Sequence, residues 1–301
     1  MTMQDAFDSF IFSRRLSDSS PKTISDYQDT IRPFVSFIGP ETPLDSLGRE
    51  NIQAYLSKLL KRPLSKATKA SYIRQVKIFL RWLEEEYEFS FGAKKIKVPR
   101  SPRREVRIYS SDEVAMIFDA IRAESPWITA RNRAVVALMY DSGLRQSEVC
   151  NILRSRISFS DARLIVRGKG DKERTVPMGR LTMQYIQEYL SLCPFSHDRL
   201  FVNRHGGPLS GNAVKLMVTK LADRLPFELS SHKLRHNFAT NYCIDHLEQD
   251  DHVDIYKLMY IMGHEDIKTT QRYLHFAYEI LASKGHISHL DRVHSPASGE
   301  T

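Results

Sequence analysis

Seven residues stand at spacings that suit one reaction. The stretch G-L-R-Q-S-E supplies Arg145 and Glu148, and G-K-G-D-K-E-R supplies Lys169. Further on, S-S-H-K-L-R-H supplies His232 and Arg235, and I-M-G-H-E-D-I-K-T-T-Q-R-Y-L supplies His264 and Tyr273. A phosphodiester attacked in line gathers negative charge on its non-bridging oxygens, and preorganised donors lower that barrier. The planar arginine fork offers two hydrogen bonds to such oxygens and stays protonated, so Arg145 and Arg235 read as a phosphate clamp. A tyrosine, with an ordinary pKa of about 10, must lose its proton to attack. Tyr273 is the expected nucleophile, His232 the base that takes its proton, and His264 a hydrogen-bond partner of the phosphate. The departing 5′-oxygen needs a proton, which Lys169 on a mobile hairpin can deliver. Glu148 would hold an arginine or a histidine in place.

Singly, each of these residues has a plainer explanation. One tyrosine among 13 is most often core or surface, and a single histidine is usually structural. A zinc site must be weighed, because His232 and His236 share a helix face with Cys243 and His246 nearby. Without H-E-x-x-H or a close cysteine pair, no metal is expected. The G-K-G run lacks the spacing of a nucleotide-binding loop, so no nucleotide or other cofactor is expected either.

The elements that must position these groups fall into two parts, as a chain of 301 residues allows. Residues 1–93 read as a helical domain. Ser20-Pro21 opens a helix with Ile24, Tyr27, Ile31, Phe34 and Ile38 on one face, closed by Gly39-Pro40. A second helix carries Ile52, Tyr55, Leu56 and Leu59. A third, from about Ser65 to Glu86, carries Tyr72, Val76, Phe79, Leu80 and Leu83. Aromatics at helical period are core before they are base-stacking groups. Lysines and arginines, among them Lys66, Lys69, Arg74 and Lys77, line the opposite faces, where they suit either solvent or phosphates. Residues 94–108, K-K-I-K-V-P-R-S-P-R-R-E-V-R and its flank, read as a basic extended linker, with Lys95, Lys97, Arg100, Arg103 and Arg104 as further candidate DNA contacts.

Residues 109–290 form the second domain. A capping box at Ser110–Glu113 opens it. A buried helix from Arg133 to Asp141 ends at Ser142-Gly143. Residues 164–176 alternate as a β-hairpin with Lys169 at its glycine-rich tip. A helix near Met183–Leu192, a short strand at Leu200–Val202, a helix near Asn212–Arg224 and three more helices follow. Residues 291–301 read as a disordered tail. The fold class is mainly α with a small β-hairpin or sheet, hence α+β.

A net charge of +8 points to a polyanion, nucleic acid before membrane. Cys150, Cys193 and Cys243 are an odd, scattered set, which suits reduced thiols in the cytoplasm. The acidic first residues do not form a signal peptide, and no apolar run is long enough to span a bilayer. A soluble protein of the cytoplasm, associated with the nucleoid, is expected.

Taken together, the ordered set Arg145, Glu148, Lys169, His232-x-x-Arg235, Gly263-His264 and Tyr273 resembles the tyrosine recombinase (phage integrase) family, Xer-like, over nearly the whole chain. T-I-S-D-Y and T-K-A-S-Y-I-R-Q-V-K-I-F-L-R-W are similar to the family's SAM-like core-binding domain. The resemblance implies a two-domain clamp on double-stranded DNA and a homo-tetramer on two specific recombination sites. It implies a 3′-phosphotyrosyl intermediate and strand exchange through a Holliday junction, with no metal or nucleotide. It also implies that the segment after the nucleophile, roughly 276–289, packs on a neighbouring protomer, although an amphipathic helix there can equally serve its own core. The stretch between Arg235 and His264 is longer than the compact Xer pattern, and R-Y-L-H-F places a larger residue after the tyrosine. These departures favour a mobile-element recombinase, acting in integration, excision or resolution, over Xer-type resolution of chromosome or plasmid dimers. A type IB topoisomerase and a non-cleaving DNA-binding protein are the other readings.

Overall fold

The computed structural model describes residues 1–99 and 107–283. Contacts divide the chain into two compact units, Met1–Arg104 and Glu105–Thr301. Arg100, Arg103 and Arg104, with the rest of 100–106 in the expected linker, and the tail from 291 lie outside the described residues.

The first unit contains α1 (Met3–Leu16), α2 (Pro21–Ile38), α3 (Arg49–Lys61) and α4 (Lys66–Glu86). Local chemistry sets several of their starts: Thr2, Ser20 and Ser65 accept the amides of Asp5, Thr23 and Thr68. The apolar stripes meet in one core. Phe10 packs edge-on against Tyr27, Phe79 and Trp82, with ring centroids at 5.2, 5.3 and 5.5 Å. These aromatics are therefore core. Ile96 and Val98, assigned to the linker by the charge around them, pack against the same core. Lys77 turns inward to match, donating to the carbonyls of Ile96 at 2.7 Å and Lys94 at 3.2 Å.

The second unit runs α5 (Ser111–Asp119), α6 (Pro126–Asp141), α7 (Gln146–Asn151), β1 (Ile157–Ser158), β2 (Arg163–Arg167), β3 (Glu173–Pro177), α8 (Arg180–Leu192), α9 (Gly211–Ala222), α10 (Ser231–Asp250), α11 (Ile255–Met262) and α12 (Ile267–Ser283). The sheet is antiparallel in the order β1-β2-β3, and Val166 faces Arg174 in its register. The expected hairpin is present, extended by the two-residue β1. Leu200–Val202 is not a strand, although all three residues are buried. Only single bridges flank it, Leu153 with Arg199 and Val202 with Pro208. The chain reverses at Gly206, in the left-handed region at φ 84°, before a ladder can build.

Two ties hold α10, which carries part of the candidate site. Gly143, at φ 63°, lies so close that a Cβ would sit 2.3 Å from the Phe238 ring. Glycine is thus demanded there by backbone angle and by helix approach together. Asn237 is fully buried. Its Oδ1 accepts the Tyr109 amide at 2.7 Å, and its Nδ2 donates to the carbonyls of Arg107 at 3.1 Å and Lys233 at 2.9 Å.

Asn237→Ala strands the buried Tyr109 amide and should destabilise the second unit by about 1–3 kcal/mol. Urea unfolding of the full chain measures this, and an unchanged midpoint for the second unit refutes the tie.

Candidate active site

Glu148 is the centre of the site. It lies at the third position of α7, and its buried carboxylate accepts four hydrogen bonds. Oε1 takes Arg145 Nη1 at 2.8 Å and Arg174 Nη1 at 2.9 Å; Oε2 takes the Arg145 backbone amide at 2.8 Å and Arg174 Nη2 at 2.9 Å. Arg235 Nη1 stands 3.8 Å from Oε2. A carboxylate has about four lone-pair sites, so this one is saturated.

The three guanidinium groups are shared with the end of α11. Arg174 Nε donates to Ile261 O at 2.8 Å, Arg235 Nη2 to Met262 O at 2.5 Å, and Arg145 Nη2 to Gly263 O at 2.8 Å. Three consecutive carbonyls, which a helix end leaves without intrahelical partners, each receive one arginine. Arg235 also donates to Gly143 O. Gly263 closes the helix at φ 61°, and a Cβ there would press on the Arg174 guanidinium at 3.0 Å. That accounts physically for the glycine of the Gly263-His264 pair.

His264 Nε2 lies 3.2 Å from Arg235 Nη2, and Nδ1 lies 2.9 Å from Thr270 Oγ1. Arginine only donates, so Nε2 must accept and Nδ1 carries the proton that it gives to the threonine. Burial first, then Arg235, Arg145 and Arg174, draws His264 down to about 4. The ring is neutral, and Nε2 faces the arginine with a lone pair. In this resting arrangement that nitrogen has no proton to offer a phosphate.

Tyr273 sits in the middle of α12, 4% exposed. Its ring lies 6.1 Å from that of His264, nearly parallel at 13°. Its hydroxyl shares a 2.7 Å hydrogen bond with His236 Nδ1. At rest the histidine at the phenol is His236, while His232, the expected base, is exposed one turn earlier on α10. The docking of α12 determines which turn of α10 meets the phenol. Burial first, then His232, Arg272 and Arg235, draws His236 down to about 4. Burial raises the Tyr273 phenol above its ordinary value, against the pull of Arg235, Arg272 and Arg145. The resting proton therefore lies on the phenol by several orders of magnitude.

Burial acts on the other groups with different outcomes. It would raise Glu148, but Arg174, then the Arg145 amide and guanidinium, outweigh it and hold the carboxyl below its ordinary value. Burial and the charge of Arg145 draw Arg235 down to about 10, still protonated at neutral pH.

Of the expected set, Arg145, Glu148, Arg235, His264 and Tyr273 converge. The backbone of Lys169 lies at the hairpin tip, in the turn Lys169–Asp171; its side chain is outside the described structure. Sequence reasoning missed Arg174 and His236. An open cavity of about 780 Å³ adjoins Arg145, Arg174, Gly263 and His264, with room for a substrate group beside the arginines.

The expected DNA contacts diverge. Lys66, Arg74, Lys95 and Lys97 are exposed. Lys69 donates to Leu60 O at 2.7 Å, and Lys77 is engaged inward. The segment after Tyr273 packs in its own chain as far as it is described: Phe276, Ala277, Ile280 and Leu281 join the core of Ala239, Cys243 and Leu258. Among the described residues no His, Cys, Asp and Glu group could hold a metal ion, and no helix is long and apolar enough to cross a membrane.

Comparison with known proteins adds kinship to the geometry. The family model described as "Phage integrase family" matches residues 107–279, and "Phage integrase, N-terminal SAM-like domain" matches 6–86. The tyrosine recombinase XerD of Halalkalibacterium halodurans is 29% identical over 268 residues, 85% of this chain and 87% of its own length. The tyrosine recombinase XerC of Listeria welshimeri is 27% identical over 293 residues, 93% of this chain and 95% of its own. Among solved structures, the Tn1549 transposon integrase in complex with transposon right end DNA overlays with a TM-score of 0.73 at 17% identity, covering 94% of this chain and 99% of that one. At that identity the likeness is one of fold.

Both half-buried histidines predict acid sensitivity. In the unfolded chain each binds a proton below its ordinary 6.5, in the folded chain only near 4. The unfolded state therefore gains protons first, and stability falls as pH drops from about 6.5 toward 4. Glu148 adds a further loss as pH falls below the ordinary carboxylate range and through its depressed folded value. Thermal midpoints measured from neutral pH downward should decline through this window, less steeply in His236→Leu; a flat profile contradicts the burial of neutral rings.

Proposed function

Because the chain belongs to the phage integrase family, and so is a site-specific tyrosine recombinase that breaks and rejoins DNA strands, we propose that Tyr273 is the group through which it cuts. The phenol oxygen attacks phosphorus; the tyrosyl–phosphate bond forms as the bond to the 5′-oxygen breaks. The phenol proton passes to a base, and the 5′-oxygen takes a proton, for which Lys169 is the proposed donor. Reversal by a 5′-hydroxyl from the other duplex restores the diester. The number of phosphoester bonds is unchanged throughout, so religation needs no nucleotide.

Arg145 and Arg235 hold the non-bridging oxygens in this reading. His236 receives the phenol proton. Its depressed pKa makes it a weak base at rest, and the negative charge of an arriving phosphate strengthens it, along with His264. His232, exposed on the same helix, is left for the substrate side. What supports the reading is a chain of contacts between separate stretches: Arg145 and Arg235 meet at Glu148, His264 meets Arg235, and the Tyr273 ring lies against that of His264.

Double-stranded DNA is the proposed partner, bound by the second unit at the scissile phosphate and by the first unit along the backbone. The charge of +8 suits it, and Lys66, Arg74, Lys95 and Lys97 are the exposed cations proposed to meet phosphates. The active species is a homo-tetramer on two sites. The physiological setting proposed is a mobile element, on the long stretch between Arg235 and His264. Xer-type dimer resolution is favoured by a different observation, the match to XerD and XerC over 85% and 93% of the chain.

The test uses a duplex selected by binding from a randomised pool, then nicked so that cleavage releases a short fragment. The wild type should accumulate a covalent adduct. Tyr273→Phe should bind and form none, and His236→Ala should bind and cleave at least about tenfold more slowly. Adduct formation by Tyr273→Phe would refute the assignment. Relaxation of supercoils by a monomer on any sequence, with no exchange between paired sites, points instead to topoisomerase action.

A further inference from the structure

We propose that Arg174 is a positioning residue for strand cleavage: it saturates Glu148 so that Arg145 and Arg235 keep their phosphate-facing donors free. This rests on the cleavage reading above and deepens it.

Arg174 is buried on β3, with its side chain 6% exposed. All three of its nitrogens are engaged, two on the oxygens of Glu148 and one on Ile261 O. All of these hydrogen bonds are made within the protein, although Arg174 also borders the cavity beside Arg145. What Arg174 controls is the appetite of the carboxylate beside it. Without Arg174, Glu148 would hold two vacant acceptor sites and an under-compensated charge in a buried place, which is costly.

Two cations stand ready to fill that vacancy. Arg235 Nη1 is already 3.8 Å from Oε2. The Arg145 side chain, 36% exposed, is the more exposed of the two and touches Oε1 at 2.8 Å. Either movement turns guanidinium donors away from the substrate and toward the carboxylate. It would also release a carbonyl at the end of α11, because Met262 O and Gly263 O are held by these same two groups. Arg174 thus acts through Glu148 as a competitor that the clamp cannot displace. Lysine cannot take its place fully, since a single ammonium does not fill both oxygens and Ile261 O at fixed angles.

The location carries a second consequence. Arg174 faces Val166 across the β2–β3 ladder, and Gly168 and Lys172 close the hairpin that bears Lys169. One side chain therefore fixes both the hairpin strand and the arginine pair to the same carboxylate.

The experiment uses the full-length chain and the nicked selected duplex. Arg174→Met and Arg174→Lys should bind DNA within about threefold of wild type. Adduct formation should fall about 100-fold in Arg174→Met, in keeping with misplaced donors, and by less in Arg174→Lys. Two readouts separate positioning from mere folding. In a Glu148→Gln background, where the charge is gone, Arg174→Met should add less than about threefold, because the two residues act as a unit. On a duplex whose 5′-bridging oxygen is sulfur, a leaving group that needs no proton, Lys169→Ala should recover while Arg174→Met stays slow.

Cleavage by Arg174→Met at the wild-type rate overturns the proposal. So does full multiplication of its effect with Glu148→Gln, recovery on the sulfur substrate, or loss of DNA binding in both Arg174 variants. Failure of the wild type itself to form an adduct would instead sink the cleavage reading on which the proposal stands.

Discussion

One buried carboxylate holds three guanidinium groups together, and the rest of the second unit is arranged to allow it. Arg145, Arg174 and Arg235 bring three positive charges within 4 Å of Glu148. The carboxylate cancels one of them, and the carbonyls at the end of α11 offset part of the remainder. The site is thus left short of negative charge in surroundings where charge is costly to bury. Burial first, then the charge of Arg145, draws Arg235 down to about 10, and the second of these causes reflects that shortfall. In the proposed role a phosphodiester would supply what is missing, so the same electrostatic imbalance that strains the resting site would favour its substrate.

Backbone geometry decides where these charges can stand. Gly143 and Gly263 both take left-handed angles, and both lie so near a side chain that a Cβ would intrude, on Phe238 in one case and Arg174 in the other. The first lets α10 close on the end of α6, which sets Arg235. The second turns the chain after α11 so that residues 261–263 present their carbonyls to the arginines. Neither helix end is a passive boundary.

Much of this was legible in the sequence, and the misses have physical causes. Arg145, Glu148, Arg235, His264 and Tyr273 announce themselves because their types suit one reaction and their motifs lie beside helix caps. Capping at Ser110 and the hairpin at 164–176 were equally readable from local chemistry. Arg174 was not read, because arginine in E-R-T-V-P looks like a solvent-facing residue of the strand. Yet it has the same parity as buried Val176, two positions on, and alternation alone sends it inward. Charge misled where period would have informed. His236 differs: positions 232, 235 and 236 crowd neighbouring faces of one helix, and the choice between the histidines depends on how α12 docks. Lys77 shows the converse: on a basic face that suits solvent or phosphates, it is engaged at rest by the carbonyls of Lys94 and Ile96.

If Tyr273 is the nucleophile, as proposed, its position holds its reactivity back at rest. α12 runs unbroken from Ile267 to Ser283, and its Ala277, Ile280 and Leu281 are part of the core on which the tyrosine ring also rests. The proposed nucleophile, built into a core, is neutral for the reason that any buried phenol is: burial disfavours the phenolate. The opposing pull of Arg235, Arg272 and Arg145 is present but loses. Bringing the hydroxyl to a phosphate must therefore change its surroundings as well as its position, exchanging apolar cover and the His236 bond for the field of the arginines. Docking of α12 then sets not only where the phenol lies but whether it can ionise, and the helix and the charge cluster control the chemistry jointly.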